Sequence, residues 1–296
     1  MLKINDELRK YELIPYKYQN IGNVSIVDTS KGTYVFKKNI DNNIFEYLSS
    51  RNFNYYPTII SDSSSNYLIT EYIKDINISS EQRIEDMIDL VSLLHNKTTH
   101  YKEVDSDEYN EIYEDISNNI EYLYNYYNDL MTIIESKVFM SPAEYMLSLN
   151  ISKVYERLSY TYNELSRWYK KVKDKKKKRL VLIHNNLRLD HFILNTKPYL
   201  ISWDKAKLDM PIFDLYKLYK NNDSFDFKET LKRYEHEYKL LDYEKELLFI
   251  LISLPDKIEF NDSNINMCVK ISNMVNILDR ARELTLPNNF EKTKNN

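Results

Sequence analysis

Glycine is almost absent from this chain, which contains 2 glycines among 296 residues. A glycine-rich phosphate-binding loop needs several positions without a Cβ, because backbone amides must approach the phosphates closely. The composition therefore argues against such a loop. Cysteine is scarcer still, since the chain has the single Cys268. One cysteine excludes an internal disulfide framework and a zinc site built from cysteines.

Long apolar runs are also missing. No stretch approaches the ~20 apolar residues of a membrane-spanning helix, and the N-terminal residues do not resemble a signal peptide. Charge is nearly balanced, with 41 basic and 45 acidic side chains, so no overall positive field favours nucleic acid. We therefore expect a cytoplasmic protein from a reducing compartment that binds neither a membrane nor nucleic acid.

Alternating apolar residues are present in the first part of the chain and predict β-strands. Segments 23–29 and 33–38 are a predicted hairpin with Gly32 in its turn. A short helix is predicted at about 41–51. A second strand pair is predicted at 57–61 and 66–73, so the order is strand, strand, helix, strand, strand.

Helical periodicity dominates the rest of the chain. Ser80 is the predicted N-cap of a helix that ends near His95, and Ser141 to Glu144 read as a capping box. We interpret the basic run from Lys171 to Arg179 as a solvated helix end. Further helices are predicted at about 108–136, 142–172, 212–221, 227–240, 243–254 and 265–284. The pattern predicts an α+β protein with a small antiparallel sheet.

The most informative segment is 181–195, V-L-I-H-N-N-L-R-L-D-H-F-I-L-N, which is followed by L-I-S-W-D at 200–204 and P-I-F-D-L at 211–215. This order resembles the catalytic core of the aminoglycoside/choline kinase-like phosphotransferases, where the elements read H-G-D-x-x-x-x-N and I-D-W/F-D/E. The resemblance implies a protein-kinase-like bilobal fold. It places an N-lobe of antiparallel strands at 1–75 and a large, mainly helical C-lobe at 76–296.

The resemblance fails at the reactive positions of that family. Its general-base Asp falls on Asn186, and an amide has no titratable proton acceptor near neutral pH. Its metal-binding Asn falls on His191, and imidazole is a poor ligand for a hard cation. Its metal-binding Asp falls on Ser202, whose hydroxyl carries no charge. His184 matches the motif histidine, for which we expect an architectural role.

The resemblance assigns the other parts of a nucleotide site to the N-lobe. Lys37 is the implied phosphate-binding lysine, and alternation predicts that it points with Val35 while its neighbours point away. An exposed lysine at the end of a strand is the alternative interpretation. Glu46 or Asp41 would orient that lysine. The phosphate loop would be 20–23, which has only Gly22.

A hinge that pairs with an adenine edge would lie at Glu71 and Ile73, although an ordinary strand end fits these residues equally well.

Acidic residues near the substituted positions could replace the missing metal ligands. Strand alternation would place Asp204 on the same face as Ser202, where it could supply a displaced ligand, and Asp190 precedes His191. We interpret Asp214 as a loop brace or helix cap, and His95 as a buried, hydrogen-bonded structural histidine.

A narrower resemblance covers about residues 11–260. Segments 11–17, 23–38 and 251–257 are similar to spore-coat kinase-like proteins of the CotS/YutH type, whose members usually retain the acids that are missing here. A spore-coat location and a coat or other protein partner are therefore implied besides the cytoplasmic one. The acceptor substrate is not indicated.

Three hypotheses follow. The first is a pseudokinase that acts as a binding or structural module, whose interlobe cleft holds a nucleotide such as ATP or a small molecule without Mg²⁺. The second is an active ATP-dependent small-molecule phosphotransferase with a metal site rearranged around Asp190, His191 and Asp204. The third is a scaffold without a ligand.

Overall fold

The computed structural model describes residues 2–38, 43–62, 65–221 and 225–286, and within them the chain forms two compact units. The first unit combines Met1–Thr99, Val181–Leu208 and Lys232–Tyr238, and the second combines His100–Leu180, Asp209–Leu231 and Lys239–Asn296. Most candidate site residues belong to the first unit, although they lie as far apart in sequence as Lys37 and Asp204.

A four-stranded antiparallel sheet forms the N-terminal part of the first unit, with the strands in chain order. The strands are β1 (Pro15–Ile21), β2 (Val24–Thr29), β3 (Gly32–Lys38) and β4 (Tyr67–Glu71), and the helices are α1 (Leu2–Lys10) and α2 (Asn43–Ser50). The predicted hairpin is confirmed as β2 and β3, which pair with Thr29 opposite Gly32. Gly32 has a φ of 139°, a backbone conformation that favours glycine.

The two faces of this sheet differ, because successive side chains of a strand point to opposite sides. Val27, Phe36 and Ile69 are buried on one face, where they pack with Leu8 of α1. Helix α1 was not predicted from the sequence. The opposite face carries Val35 and lines a cavity. One face therefore builds the core, and the other is available to a ligand.

The predicted strand at 57–61 is wrong. This segment makes a single β-bridge, in which Ile59 lies opposite Thr70 of β4. The amide of Ile69 donates to the side-chain hydroxyl of Ser61 at 3.0 Å, so a side chain takes the place of a backbone acceptor. The apolar residues predicted a strand, but this local hydrogen bond interrupts the regular ladder.

The first long helix, α3 (Ser80–Thr98), begins one residue earlier than predicted. Its N-cap is Ser79 and not Ser80, because the Ser79 hydroxyl accepts a hydrogen bond from the amide of Gln82 at 3.2 Å. The helix continues beyond the predicted end near His95. His95 itself is fully buried, and its Nδ1 lies 2.6 Å from the hydroxyl of Tyr234. The predicted structural role of His95 is thus confirmed.

Helices make up most of the second unit, at the predicted places. They are α4 (Ser106–Glu135), α5 (Pro142–Val172), α6 (Ile212–Asn221), α7 (Phe227–Glu237), α8 (Asp242–Ser253) and α9 (Asn264–Thr285), of which part of α7 belongs to the first unit. The Ser141 capping box is confirmed. Asp214 is buried in the first turn of α6. The described helices include none that is both long and apolar enough to cross a bilayer.

Short strands complete the fold. They are β5 (His100–Glu103), β6 (Lys177–Ile183), β7 (Phe192–Leu194), β8 (Pro198–Leu200) and β9 (Lys207–Asp209). The interpretation of the basic run as a solvated helix end is wrong for Arg179. This residue lies in β6, is 7% exposed and forms an ion pair with the fully buried Glu244. A buried arginine needs such a partner, which the sequence pattern did not show.

Candidate functional site

A cavity of about 210 Å³ lies on the open face of the N-terminal sheet, within the first unit. This volume far exceeds the ~10–15 Å³ that one water molecule needs on the same measure, so the cavity has room for a small organic group. Most of the side chains that line it are apolar, and they include Val24, Ile26, Val35, Leu68, Ile193 and Trp203. Such a lining favours a flat apolar or aromatic group over a hydrated ion.

Lys37 points into this cavity from β3, on the same face as Val35. The alternation of β3 is responsible, because Tyr34 and Phe36 belong to the core cluster on the other face. The predicted direction of the side chain is thus confirmed. The structure places the lysine within reach of a bound ligand.

An ion pair joins Lys37 to Asp204, 167 residues later in the sequence. Lys37 Nζ donates to Asp204 Oδ1 at 2.6 Å, and the two side chains are 22% and 36% exposed. Burial by itself raises the pKa of the Asp204 carboxyl. The hydrogen bond from Lys37 and the positive charge of Lys37 lower this pKa by a larger amount. The resulting pKa is below its usual range, so Asp204 is a carboxylate at neutral pH.

The two acids expected to orient Lys37 have different places. Glu46 is exposed on α2, and the ion pairs of the described residues include none between it and Lys37. Asp41 lies outside the described residues. Of the acids that the structure describes, the one in contact with Lys37 is Asp204, which the sequence analysis considered as a metal ligand.

The expected hinge borders the cavity through Glu71, Tyr72 and Ile73. The amide of Tyr72 donates to the carbonyl of Thr33 at 2.9 Å, and the amide of Glu71 donates to the carbonyl of Thr58 at 3.0 Å. These two amides are therefore already hydrogen-bonded. The next amide along, that of Ile73, is used by none of the described hydrogen bonds.

His184 stands at the end of β6, where it is fully buried. Its Nε2 lies 2.8 Å from the carbonyl oxygen of Ile201, and its ring packs edge-on against Trp203 at 4.8 Å between centroids. The histidine thereby ties β6 to the segment that carries Ser202 and Asp204. This is the geometry that the expected architectural role requires.

The next residues form a tight loop. Asn185 has a φ of 56°, in the left-handed region, and its side-chain amide donates to the carbonyl of Lys205 at 3.1 Å. Asn186 follows and is half-buried, and its carbonyl accepts a hydrogen bond from His191 Nδ1 at 2.7 Å. The ring of His191 is thus held by the backbone of the residue at the expected base position.

The premise of strand alternation for Ser202 and Asp204 is wrong. Strand β8 ends at Leu200, Ser202 is left-handed with a φ of 67° and a ψ of 50°, and Trp203–Lys205 form a 3₁₀ turn. Only asparagine, aspartate and glycine adopt this conformation readily, so serine is strained here. The turn, and not a strand, directs Asp204 toward Lys37.

The donor atoms of this region do not fit a magnesium ion. Mg²⁺ prefers carboxylate oxygens in octahedral geometry. Ser202 offers a hydroxyl, Asp204 is held by Lys37, and Asp190 is exposed and bound through both oxygens by Arg188 at 3.0 and 3.2 Å. In the described part of the chain, no three His, Cys, Asp or Glu side chains are close enough to share a metal ion.

Two residues that support the cavity were missed. Arg83 donates to Asp75 at 2.7 Å and to the carbonyl of Phe192 at 2.7 Å, and Asp75 accepts from the amide of Leu194 at 2.9 Å. They fasten the segment after the hinge to β7, which carries Ile193 of the cavity. No sequence signal marks this network, because Arg83 and Asp75 bond to backbone groups of Phe192 and Leu194 that lie 109 and 119 residues away.

Comparison with known proteins supports a phosphotransferase-type fold. Residues 142–249 match the phosphotransferase enzyme family, APH. No curated protein matches the sequence.

Solved structures of low identity resemble nearly the whole chain. An aminoglycoside phosphotransferase from Alicyclobacillus acidocaldarius is 10% identical with a TM-score of 0.67, and 94% of each chain is covered. The AMP-bound spectinomycin phosphotransferase APH(9)-Ia is 14% identical with a TM-score of 0.61, covering 96% of this chain and 99% of the other. Choline kinase LicA from Streptococcus pneumoniae is 16% identical with a TM-score of 0.51, covering 96% and 98%.

The fold is kinase-like. The predicted fold class is thereby confirmed, with a small antiparallel sheet in the N-terminal region and a mostly helical C-terminal region. At such low identities the likeness concerns the fold, and the chemistry must be argued from the residues of the site.

Proposed function

We propose that this protein is a pseudokinase that binds a nucleotide or a related small molecule in the cavity of the first unit. The observation that supports this proposal best is the 2.6 Å ion pair between Lys37 and Asp204. In an active kinase-like site, a lysine of this kind holds phosphates and the acids hold the metal. Here Lys37 and Asp204 form an ion pair with each other instead.

The substitutions in the central loop (residues 184–204 apart from β7 and β8) support impaired phosphoryl transfer. Asn186 cannot accept a proton from an acceptor hydroxyl at neutral pH. Ser202 has no charge to balance a divalent cation. The loss of one preorganised electrostatic contact commonly raises a barrier by ~3–4 kcal/mol, which slows turnover by a factor of hundreds. When several members of one catalytic unit are lost together, the remaining groups accelerate the reaction only slightly.

Ligand binding is supported by the cavity and by the neighbours in fold. The cavity is lined mainly by apolar side chains, and the hinge residues Glu71 and Ile73 lie at its edge. The similar spectinomycin phosphotransferase carries AMP in one structure, and ADP with spectinomycin in another. We extend nucleotide binding to this chain on the strength of the cavity, with Lys37 as the residue that faces the ligand.

An active small-molecule phosphotransferase is the second candidate. The observation in its favour is Asp204, whose lowered pKa keeps it negatively charged beside the cavity. For catalysis the carboxylate would have to leave Lys37 and hold a metal ion with His191. Asp190, the third member of that hypothesis, would first have to leave Arg188.

Thermal unfolding with ATP, in the presence and absence of Mg²⁺, distinguishes the two candidates. The pseudokinase is stabilised by the nucleotide to the same extent with and without Mg²⁺, and it shows no ATP turnover. Stabilisation that depends on Mg²⁺, together with turnover that Asp204→Ala abolishes, would establish the enzyme instead.

A gain of function gives a positive control. The double variant Asn186→Asp with Ser202→Asp returns both charges to the central loop, and hydrolysis of ATP by this variant is expected if the rest of the site is intact. Lys37→Met in the same background should remove that hydrolysis.

The similarity to spore-coat kinase-like proteins supports a structural role with a coat or other protein partner. Fluorescence of a labelled chain in sporulating cells of its host tests this part of the proposal. A signal concentrated at the coat is expected, and a uniform cytoplasmic signal would contradict the coat location.

A further inference from the structure

We propose that the cavity takes the uncharged nucleoside portion of a nucleotide and selects against phosphates, because Asp204 neutralises Lys37, the one lysine among the described residues that line it. This inference rests on the proposed function and specifies its ligand class. It predicts an order of affinity, with adenosine above AMP and AMP above ATP, that is the reverse of the order in a phosphate-binding site.

The charges at the cavity support this order. Among the described residues that line it, Lys37 is the one basic side chain. Asp204 is in contact with Lys37 and balances its charge. The pair is therefore neutral, and the carboxylate of Asp204 repels the negative charges of a polyphosphate. Like charges at a partly desolvated site repel more strongly than in water.

The geometry of the ion pair makes it a strong competitor for the lysine. Lys37 Nζ and Asp204 Oδ1 are 2.6 Å apart, and the lysine side chain is 22% exposed. A phosphate that bound Lys37 would have to displace this carboxylate and leave it ionised nearby. Part of the free energy gained by binding the phosphate would therefore be lost, because the carboxylate of Asp204 would no longer have its counterion.

The backbone near the lysine offers little compensation. A phosphate loop holds anions with consecutive amides, and glycine lets them approach. The turn between β1 and β2 has a single glycine, Gly22, and neither Ser202 nor Asn186 carries a charge that could bind phosphate through a metal ion. Binding is thus left to the apolar walls and to the hinge, both of which suit the ring.

Calorimetric titration of the purified chain with adenosine, AMP and ATP, in EDTA, measures the order directly. The wild type is expected to bind adenosine at least tenfold more tightly than ATP. Asp204→Asn releases Lys37 and should raise the affinity for ATP at least tenfold, while adenosine affinity changes less than twofold. Asp89→Asn is the matched control, since Asp89 is an ion-paired acid of the same unit that does not line this cavity.

A second variant keeps the test valid if Asp204→Asn fails to fold, which far-ultraviolet circular dichroism shows. Lys37→Met leaves the carboxylate of Asp204 without its counterion and should lower the affinity for ATP below that of the wild type, so that the ratio of adenosine affinity to ATP affinity rises. ATP affinity equal to or above that of adenosine in the wild type would overturn the inference and leave the proposed function intact. Failure of adenosine, AMP and ATP alike to bind would overturn both.

Discussion

Two residues of the site have a left-handed backbone conformation. Asn185 has a φ of 56° and Ser202 a φ of 67°. Asparagine tolerates this region better than most residues, and the side chain of Asn185 also donates to the carbonyl of Lys205, 20 residues away. Serine has less such compensation. The backbone of the central loop is therefore strained at Ser202, next to the turn that brings Asp204 to Lys37.

Substitution of Ser202 measures this strain. Ser202→Val should lower the free energy of unfolding by ~1–2 kcal/mol, because a β-branched residue is disfavoured at positive φ. Ser202→Gly should leave it unchanged or raise it slightly, since glycine has no Cβ to clash. Urea unfolding of the three proteins is the measurement. Equal stability of the valine and glycine variants would show that the position is not strained.

The ion pair of Lys37 should make a pH-dependent contribution to stability. The folded pKa of Asp204 is lowered, so the unfolded chain binds the proton more readily and stability rises with pH. The contribution is fully present above the unfolded pKa of about 3.9 and is lost as the pH falls through the lower folded value. Because both groups are partly exposed, its size is at most ~1 kcal/mol.

Comparison of the wild type with Asp204→Asn reveals this contribution. The difference in free energy of unfolding is expected at neutral pH and should vanish well below about pH 3.9, where the carboxyl is protonated in both states. Urea midpoints across that range provide the measurement. A difference that persists unchanged in acid would mean that the asparagine alters something other than the charge.

Among the secondary-structure elements, the start of α5 is the best-defined local signal. Ser141 Oγ accepts from the amide of Glu144 at 3.4 Å, and Glu144 Oε2 accepts from the amide of Ser141 at 2.7 Å. Lys137 also contacts the Glu144 carboxylate. These reciprocal bonds satisfy two amides that the helix leaves unpaired. The capping box spans four residues, so the sequence alone predicted it.

Removal of the cap should cost a moderate amount of stability. Ser141→Ala is expected to lower the free energy of unfolding by ~1 kcal/mol, because the amide of Glu144 loses its acceptor. The control is Ser166→Ala, in the same helix, where a half-buried serine bonds back to the carbonyl of Tyr162. That change should be neutral or slightly stabilising. An equal loss in both variants would argue against a capping effect.

For the molecule as a whole, the long-range contacts decide which charges are buried. Arg179 of β6 and Glu244 of α8 lie 65 residues apart and form an ion pair in the second unit. Glu244 also accepts from the amide of Leu241 at 2.9 Å. Neither side chain could remain buried alone, since an unpaired charge in the interior is costly. This contact therefore anchors β6 to the helices.

Breaking the pair by removing one partner should be strongly destabilising. Glu244→Gln is expected to cost ~3–5 kcal/mol, because Arg179 is left as a buried charge without a counterion. The control is Glu246→Gln, which breaks the exposed pair with Lys171 and should cost less than ~1 kcal/mol. Urea unfolding of both variants gives the comparison, and similar losses would show that burial of the pair does not matter.

The elements that the sequence predicted correctly are those that local patterns specify. The β2–β3 hairpin has its turn glycine, α5 has its cap, and α6, α8 and α9 have long apolar periodicity. Segment 57–61 failed because alternation predicts an extended chain but not its hydrogen-bond partners. The direction of Lys37 followed from alternation in β3, which is a local property as well.

The sequence by itself determined the kinase-like pattern, the sides of β3 and the loss of charge at Asn186 and Ser202, since each depends on residue type and short-range order. The tertiary structure alone decided that Asp204 meets Lys37, because that contact joins residues 167 apart and depends on the left-handed turn at Ser202. The physical reason is that local sequence specifies which groups are charged, whereas folding specifies which opposite charges become neighbours.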